Sequence, residues 1–153
     1  MLDQLITFNA DYAAAIDDGR LEDWPAYFID DCFYRITTAD NHARGLPAGL
    51  VYADSRQMLH DRVLSLRKAN VFERQRYRHL LSLPRIREDD GEVARVETGF
   101  AVLRTVRGGP TEIFAGGCYF DEVVRDGKSG VKLRKRDVVC DSPRIDTLLA
   151  IPL

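Results

Sequence analysis

The sequence predicts an α+β domain in which N-terminal helices cover the concave face of a strongly curved antiparallel sheet. Apolar residues recur at three- and four-residue steps only in the stretch ending at Leu66, whereas from Arg76 onward alternating segments are joined by turn residues. Helices gathered first and a run of hairpins after them is an α+β order. Gly99, Gly116 and Gly117 fall inside the late strands, where glycine marks a bulge or a sharp bend, so the sheet should curve.

Leu5, Phe8, Tyr12 and Ile16 form one apolar helical face, and Gly19 stands where that helix would stop. Residues Leu21–Phe28 predict a short second helix with Pro25 near its first turn and Trp24, Phe28 and Ile29 available for burial. Cys32–Thr38 alternate aromatic and β-branched side chains and predict a first strand, followed by a loop over TADNHARGLPAG. Asp54 or Ser55 caps a third helix reaching about Arg67, with Leu59, Val63 and Leu66 on one face. Long strands follow: RYRHLLSLPRIRE, VARVETGFAVLRTV, TEIFAGGCYFDEVV and VKLRKRDVVCD. The pairs Asp90–Gly91, Gly108–Gly109 and Asp126–Gly127 supply positive-φ positions for the turns between them. In the last strand Leu133 has the opposite parity to Val138 and Cys140. A continuous inward face therefore requires an extra residue near Arg134–Arg136. No linker, repeat or low-complexity segment divides residues 1–153, which read as one domain.

The 153 residues carry 22 basic and 24 acidic side chains and a net charge of −2, with 45% hydrophobic residues, a balance that suits an ordinary folded domain. No apolar run approaches the roughly 20 residues of a membrane span, and the N-terminus carries acids where a signal peptide needs bases, so a cytoplasmic protein with no membrane partner is expected. The basic clusters Arg67–Arg78 and Lys132–Arg136 are interrupted by Glu73 and Asp137, and the total is slightly acidic, which argues against nucleic acid. Cys32, Cys118 and Cys140 are odd in number and widely spaced, as reduced core thiols are. No C-x-x-C or Cys-x-His pair supplies ligands for a structural zinc or an iron–sulfur cluster. His42, His60 and His79 are too scattered for a two-His-one-carboxylate iron site. His42 and His60 are expected at the surface or an interface, and His79 in the core or at its rim.

Five segments in order resemble the small, or β, subunit of aromatic-ring-hydroxylating dioxygenases. They are Glu22, Asp23, Trp24 with Asp30, Asp31, Cys32, Phe33, Tyr34; Val51, Tyr52, Ala53, Asp54 with Leu59, Asp61, Arg62, Val63; the arginine-rich run Glu73–His79; Leu133, Arg136, Val138, Cys140, Asp141; and the tail Asp146–Leu149. DNHARGLPAGLVYADS, FERQRYRHLLSLP and DTLLAIPL are most similar to the terephthalate branch of that family. The resemblance implies the cystatin-like, nuclear-transport-factor-2-like cone fold. It also implies a structural subunit with no catalytic residue and no cofactor of its own. The Rieske [2Fe–2S] centre and the mononuclear Fe(II) are then expected in a large (α) subunit, in an α3β3 assembly whose small subunits also touch one another as a homotrimer. The holoenzyme would add both atoms of O2 to an aromatic carboxylate, with electrons from NAD(P)H.

Within that reading, Arg74, Arg76 and Arg78 alternate along a strand entry and are expected to pair with carboxylates across a permanent interface with the large subunit. The apolar tail, with Ile151 and Leu153, should be docked either in its own core or on a neighbour. The rival reading is a stand-alone cone enzyme, an isomerase or dehydratase acting on a small polar molecule, with Tyr27, Asp31, Tyr34, His79 and Tyr119 as cavity residues.

Overall fold

The computed structural model describes residues 1–47, 49–69, 75–127, 130–143 and 151–153. Helix α1 spans Leu2–Asp17 and buries Leu5, Phe8, Tyr12 and Ile16, the predicted stripe, together with Asn9. Gly19, at φ 73°, turns the chain out of the helix in a conformation that side chains with a Cβ avoid. The helix expected over Leu21–Phe28 is only a 3-10 turn, Trp24–Tyr27, with Pro25 in its first positions. The chain leaves it directly into strand β1, Phe28–Thr38, which starts four residues earlier than expected because buried Phe28 already pairs with the last strand.

The loop after β1 holds two elements too short to leave a periodic signal. Helix α2, Ala39–Ala43, is capped by Thr38, whose hydroxyl accepts from the Asn41 N–H at 3.2 Å. Strand β2, Val51–Ala53, pairs antiparallel with β1. Helix α3, Arg56–Ala69, is capped by Ser55, which accepts from the Met58 N–H at 3.2 Å, and it buries Leu59 and Val63.

The long strand expected over residues 76–88 is interrupted. Strands β3, Gln75–Leu81, and β4, Arg85–Asp89, both pair with β5, Val93–Val106, on either side of a break at Ser82–Pro84. Pro84 has no N–H to give a ladder. Ser82 clamps the break onto Gly99: its N–H donates to the Gly99 carbonyl at 2.9 Å, and its hydroxyl accepts from the Gly99 N–H at 2.8 Å. Strands β6, Thr111–Asp126, and β7, Gly130–Cys140, complete a sheet in the order β2-β1-β7-β6-β5-β3, with β4 also on β5. The sheet is mixed rather than wholly antiparallel, since β1 and β7 run parallel. They are far apart in sequence, so no tight hairpin dictates their direction. In the last turn the positive φ falls on Gly130, not on Gly127.

The parity change in β7 has the predicted cause. Lys135 pairs with Glu122 and Leu133 with Val123, so Arg134 is the extra residue of a bulge. Leu133 before it and Arg136, Val138 and Cys140 after it are all buried. Arg134 is thrown outward onto Glu122 at 2.8 Å. At the other end of the same pairing, where Gly117 faces Cys140, β6 runs so close to β7 that a Cβ on Gly117 would overlap the Val139 carbonyl oxygen, whereas one on Gly116 would sit 3.6 Å from its nearest neighbour. Gly117→Ala is therefore expected to cost about 3 kcal/mol by overpacking. Gly116→Ala should stay within about 0.5 kcal/mol of wild type. Urea melts of the two variants check this. Helices α1 and α3 close the concave side over a core of Trp24, Phe28, Tyr34, Leu59 and Leu133. No helix among the described residues is long and apolar enough to cross a membrane.

Candidate interface and a filled interior

Inside the cone, where an enzyme of this shape needs open volume, the chain places its own side chains. Arg136, 0% exposed, donates from Nε to Asp121 Oδ1 at 2.9 Å and from Nη2 to Asp121 Oδ2 at 2.8 Å. Nη2 also donates to Asn9 Oδ1 at 2.8 Å, and Asn9 Nδ2 continues to the Thr98 hydroxyl at 3.3 Å. The guanidinium lies between two rings, 4.3 Å from the centroid of Tyr12 and 4.1 Å from that of Tyr119. Burial alone would lower the pKa of Arg136, but the charge and hydrogen bonds of Asp121 hold it above its ordinary value. Asp121 is pushed the other way, upward by burial, and Arg136 only partly offsets this. The fork geometry makes this an ionic pair, each partner neutralising the other's buried charge.

The tail fills the rest. Ile151 and Leu153 are buried in their own chain, and Leu153 is 0% exposed. The Leu153 carbonyl accepts from the Tyr12 hydroxyl at 3.1 Å and the Tyr34 hydroxyl at 3.0 Å, while its N–H donates to the Tyr34 oxygen at 3.1 Å. Trp24 Nε1 donates to the Tyr12 oxygen at 3.0 Å and completes the chain. Of the two dockings open to the tail, its own core or a neighbour as the hypothesised interface, Ile151 and Leu153 take the first: both side chains are buried in their own chain.

Of the five residues proposed for a catalytic cavity, Tyr34, His79 and Tyr119 are buried, and His79 also borders a recess of about 380 Å³ between α1 and β3. Burial raises the Tyr34 and Tyr119 hydroxyls well above the ordinary phenol range, which keeps them protonated and unable to act as bases. Tyr27 is half-buried at the outer edge of α1, against the rings of Phe8 and Tyr12. Asp31 is exposed, on the irregular stretch of β1 between Phe28 and Phe33, so it is no cavity residue. The carboxylate that meets His79 is Asp17: Nδ1 and Oδ1 are 2.6 Å apart, and the His79 N–H donates to Oδ2 at 2.8 Å. Sequence reasoning missed this partner, although there was a signal. Asp17 and Asp18 close α1 at the end where the helix dipole disfavours acids, so another interaction had to hold them.

The cysteines are inert in this setting, since burial pushes Cys32 to about 11 and Cys140 to about 12. Among the described residues no three His, Cys, Asp or Glu side chains converge as metal ligands. His42, His60 and His79 sit on α2, α3 and β3 and belong to no such cluster, so the described residues bring together no donor set that fits a Rieske centre or a mononuclear iron.

The sheet's outer face is divided. Over β1, β7 and β6, α2 and the following loop form a cover: His42 stacks on Phe120 at 4.6 Å, and Arg35 bridges Asp137 at 2.9 Å and the Leu46 carbonyl at 3.0 Å. Toward the β3 edge the face is open. Arg76, Arg78 and Leu80 point outward along β3, while Tyr77 and His79 point in, as the alternation of arginines predicted. Arg74 lies outside the described residues. Neither Arg76 nor Arg78 makes an ion pair among the described residues.

The family model described as ring hydroxylating beta subunit matches residues 12–147. The chain is 50% identical over 151 residues to subunit beta 1 of the terminal oxygenase component of terephthalate 1,2-dioxygenase from Comamonas sp, covering 98% of this chain and 97% of that one. It is 39% identical to the anthranilate 1,2-dioxygenase small subunit from Burkholderia cepacia, over 93% and 88% of the two chains. A crystal structure from Novosphingobium aromaticivorans DSM 12444, described as the β subunit of an aromatic-ring-hydroxylating dioxygenase, superposes with a TM-score of 0.91 at 39% identity, over 99% and 96% of the two chains.

Proposed function

Since the chain belongs to the ring-hydroxylating beta subunit family, we propose that it is the structural small subunit of a terephthalate 1,2-dioxygenase, working in the cytoplasm. The observation that carries this is the combination of near-complete coverage by oxygenase small subunits and an interior occupied by Arg136, Tyr12, Tyr34, Tyr119 and the tail. A large subunit carries the Rieske centre and the Fe(II), which supply dioxygen activation and cis-dihydroxylation of the aromatic acid. This chain contributes none of that chemistry. It contributes one rigid domain over residues 1–153 and surfaces that hold large subunits in an α3β3 ring, the small subunits touching as a homotrimer. Arg74, Arg76 and Arg78 lie at a permanent subunit interface in this reading. A scaffold that fixes the ring fixes how neighbouring large subunits face each other, so its effect on rate is positional.

The His79–Asp17 pair is the observation that favours the rival cone enzyme, because a carboxylate-oriented imidazole is a familiar general base. A recess of about 380 Å³ opens beside the pair between α1 and β3, but the His79 side chain is 0% exposed, so the imidazole is shielded from anything that enters it. The test is co-expression with the adjacent large-subunit gene and a reductase. Terephthalate is expected to be turned over to the cis-dihydrodiol, and anthranilate far more slowly. A complex that forms but prefers anthranilate would contradict the substrate, and no complex would contradict the role.

A further inference from the structure

Two surfaces of this one chain are complementary. The first is the bare half of the outer sheet face. Arg78, Leu103 and Ile113 stand opposite one another across β3, β5 and β6, with Leu80 on the next row. Ile113 is 79% exposed and Leu80 53%, and Arg76 and Arg78 rim them without ion-pair partners among the described residues. Large apolar side chains held out on a regular strand mark a contact surface.

The second is a groove of about 810 Å³ between α1, the 3-10 turn and the start of β7. Phe8, Tyr27 and Val131 floor it, and Asp3, Asp11, Glu22 and Asp23 line it, with Lys132 beside them. Glu22 already holds Arg67 and Asp23 holds Arg20, whereas Asp3 and Asp11 have no ion pair among the described residues. One surface is arginines around protruding aliphatic side chains. The other is carboxylates around an aromatic floor with room for those side chains, and the two share no residue.

We propose that the β3–β5–β6 face of one copy seats in the α1 groove of a second copy, with Arg76 and Arg78 on Asp3 and Asp11. This rests on the reading of the chain as an oligomeric scaffold, and it identifies the neighbour at the arginine face as another small subunit, not the large one. A patch that meets a different patch on the next copy gives a head-to-tail contact, which closes into a ring when the rotation per step allows. Each copy then keeps a second flank for the large subunit.

Charge exchange tests it on the full-length chain by native mass spectrometry and size exclusion. Arg76→Glu with Arg78→Glu, or Asp3→Lys with Asp11→Lys, should each weaken self-association at least tenfold. All four changes together should restore it, because the pairing is re-formed with its signs exchanged. Melting temperatures close to wild type would show that each exchanged variant is folded. Association that survives either pair, a fourfold variant that stays dissociated, or a wild-type chain that is monomeric at high concentration would overturn the proposal. Loss of the large subunit from the arginine variant, with small subunits still associated, would also overturn it by assigning that face to the large subunit. The oxygenase reading fails separately, if the wild-type chain captures no iron-bearing partner.

Discussion

Arg136→Ala is expected to destabilise the chain by about 3–5 kcal/mol, because it leaves the Asp121 carboxylate buried without its counter-charge. For a chain of this size that is a fall in melting temperature of roughly 10 °C or more. The same substitution removes the cation between Tyr12 and Tyr119 and strands Asn9, which otherwise links Arg136 to Thr98. The double replacement Asp121→Leu with Arg136→Leu should recover at least half the loss, since apolar pairs of similar volume often match a buried ion pair. Thermal melts of the single and double variants check this. A double variant no better than the single one would mean that ring stacking, not charge pairing, is what Arg136 supplies.

Removing Ile151–Leu153 is the second large effect. Two buried aliphatic side chains are lost, and the Tyr12 and Tyr34 hydroxyls lose the carbonyl they share. Cavity formation and unsatisfied hydroxyls together cost about 3–6 kcal/mol. Because the tail packs in its own chain, the isolated subunit should melt at lower temperature, while association measured below that temperature is retained. An unchanged melting temperature with lost association would instead place the tail on a neighbour. Tyr34→Phe, which removes one hydroxyl and little volume, should cost about 1–2 kcal/mol.

The sequence was most legible where one physical rule dominates. The stripe Leu5, Phe8, Tyr12, Ile16 and the reversed parity around Arg134 each admit one solution, and the structure adopts it. Elements too short to repeat their period leave no trace: α2 and β2 depend on a single Thr38 cap and a few pairings with β1. The break at Ser82–Pro84 was legible in Pro84, but strand propensity on both sides masked it. The parallel pairing of β1 with β7 is a long-range choice that no local pattern encodes. The interior was read half correctly. Tyr34, His79 and Tyr119 read as inward residues, whereas nothing in the basic cluster Lys132–Arg136 singles out Arg136 as the one that is buried. An arginine is normally exposed, and only the bulge at Arg134 turns this one inward toward Asp121.

This polypeptide holds other subunits in place and leaves redox chemistry to them. Purification of the chain by itself, followed by metal analysis and an assay with terephthalate and a reductant, tests it most directly. The isolated 17.4 kDa chain is expected to bind no iron and to turn over no terephthalate, with both appearing once the large subunit is co-purified. Stoichiometric iron or product formation in the isolated chain would contradict it.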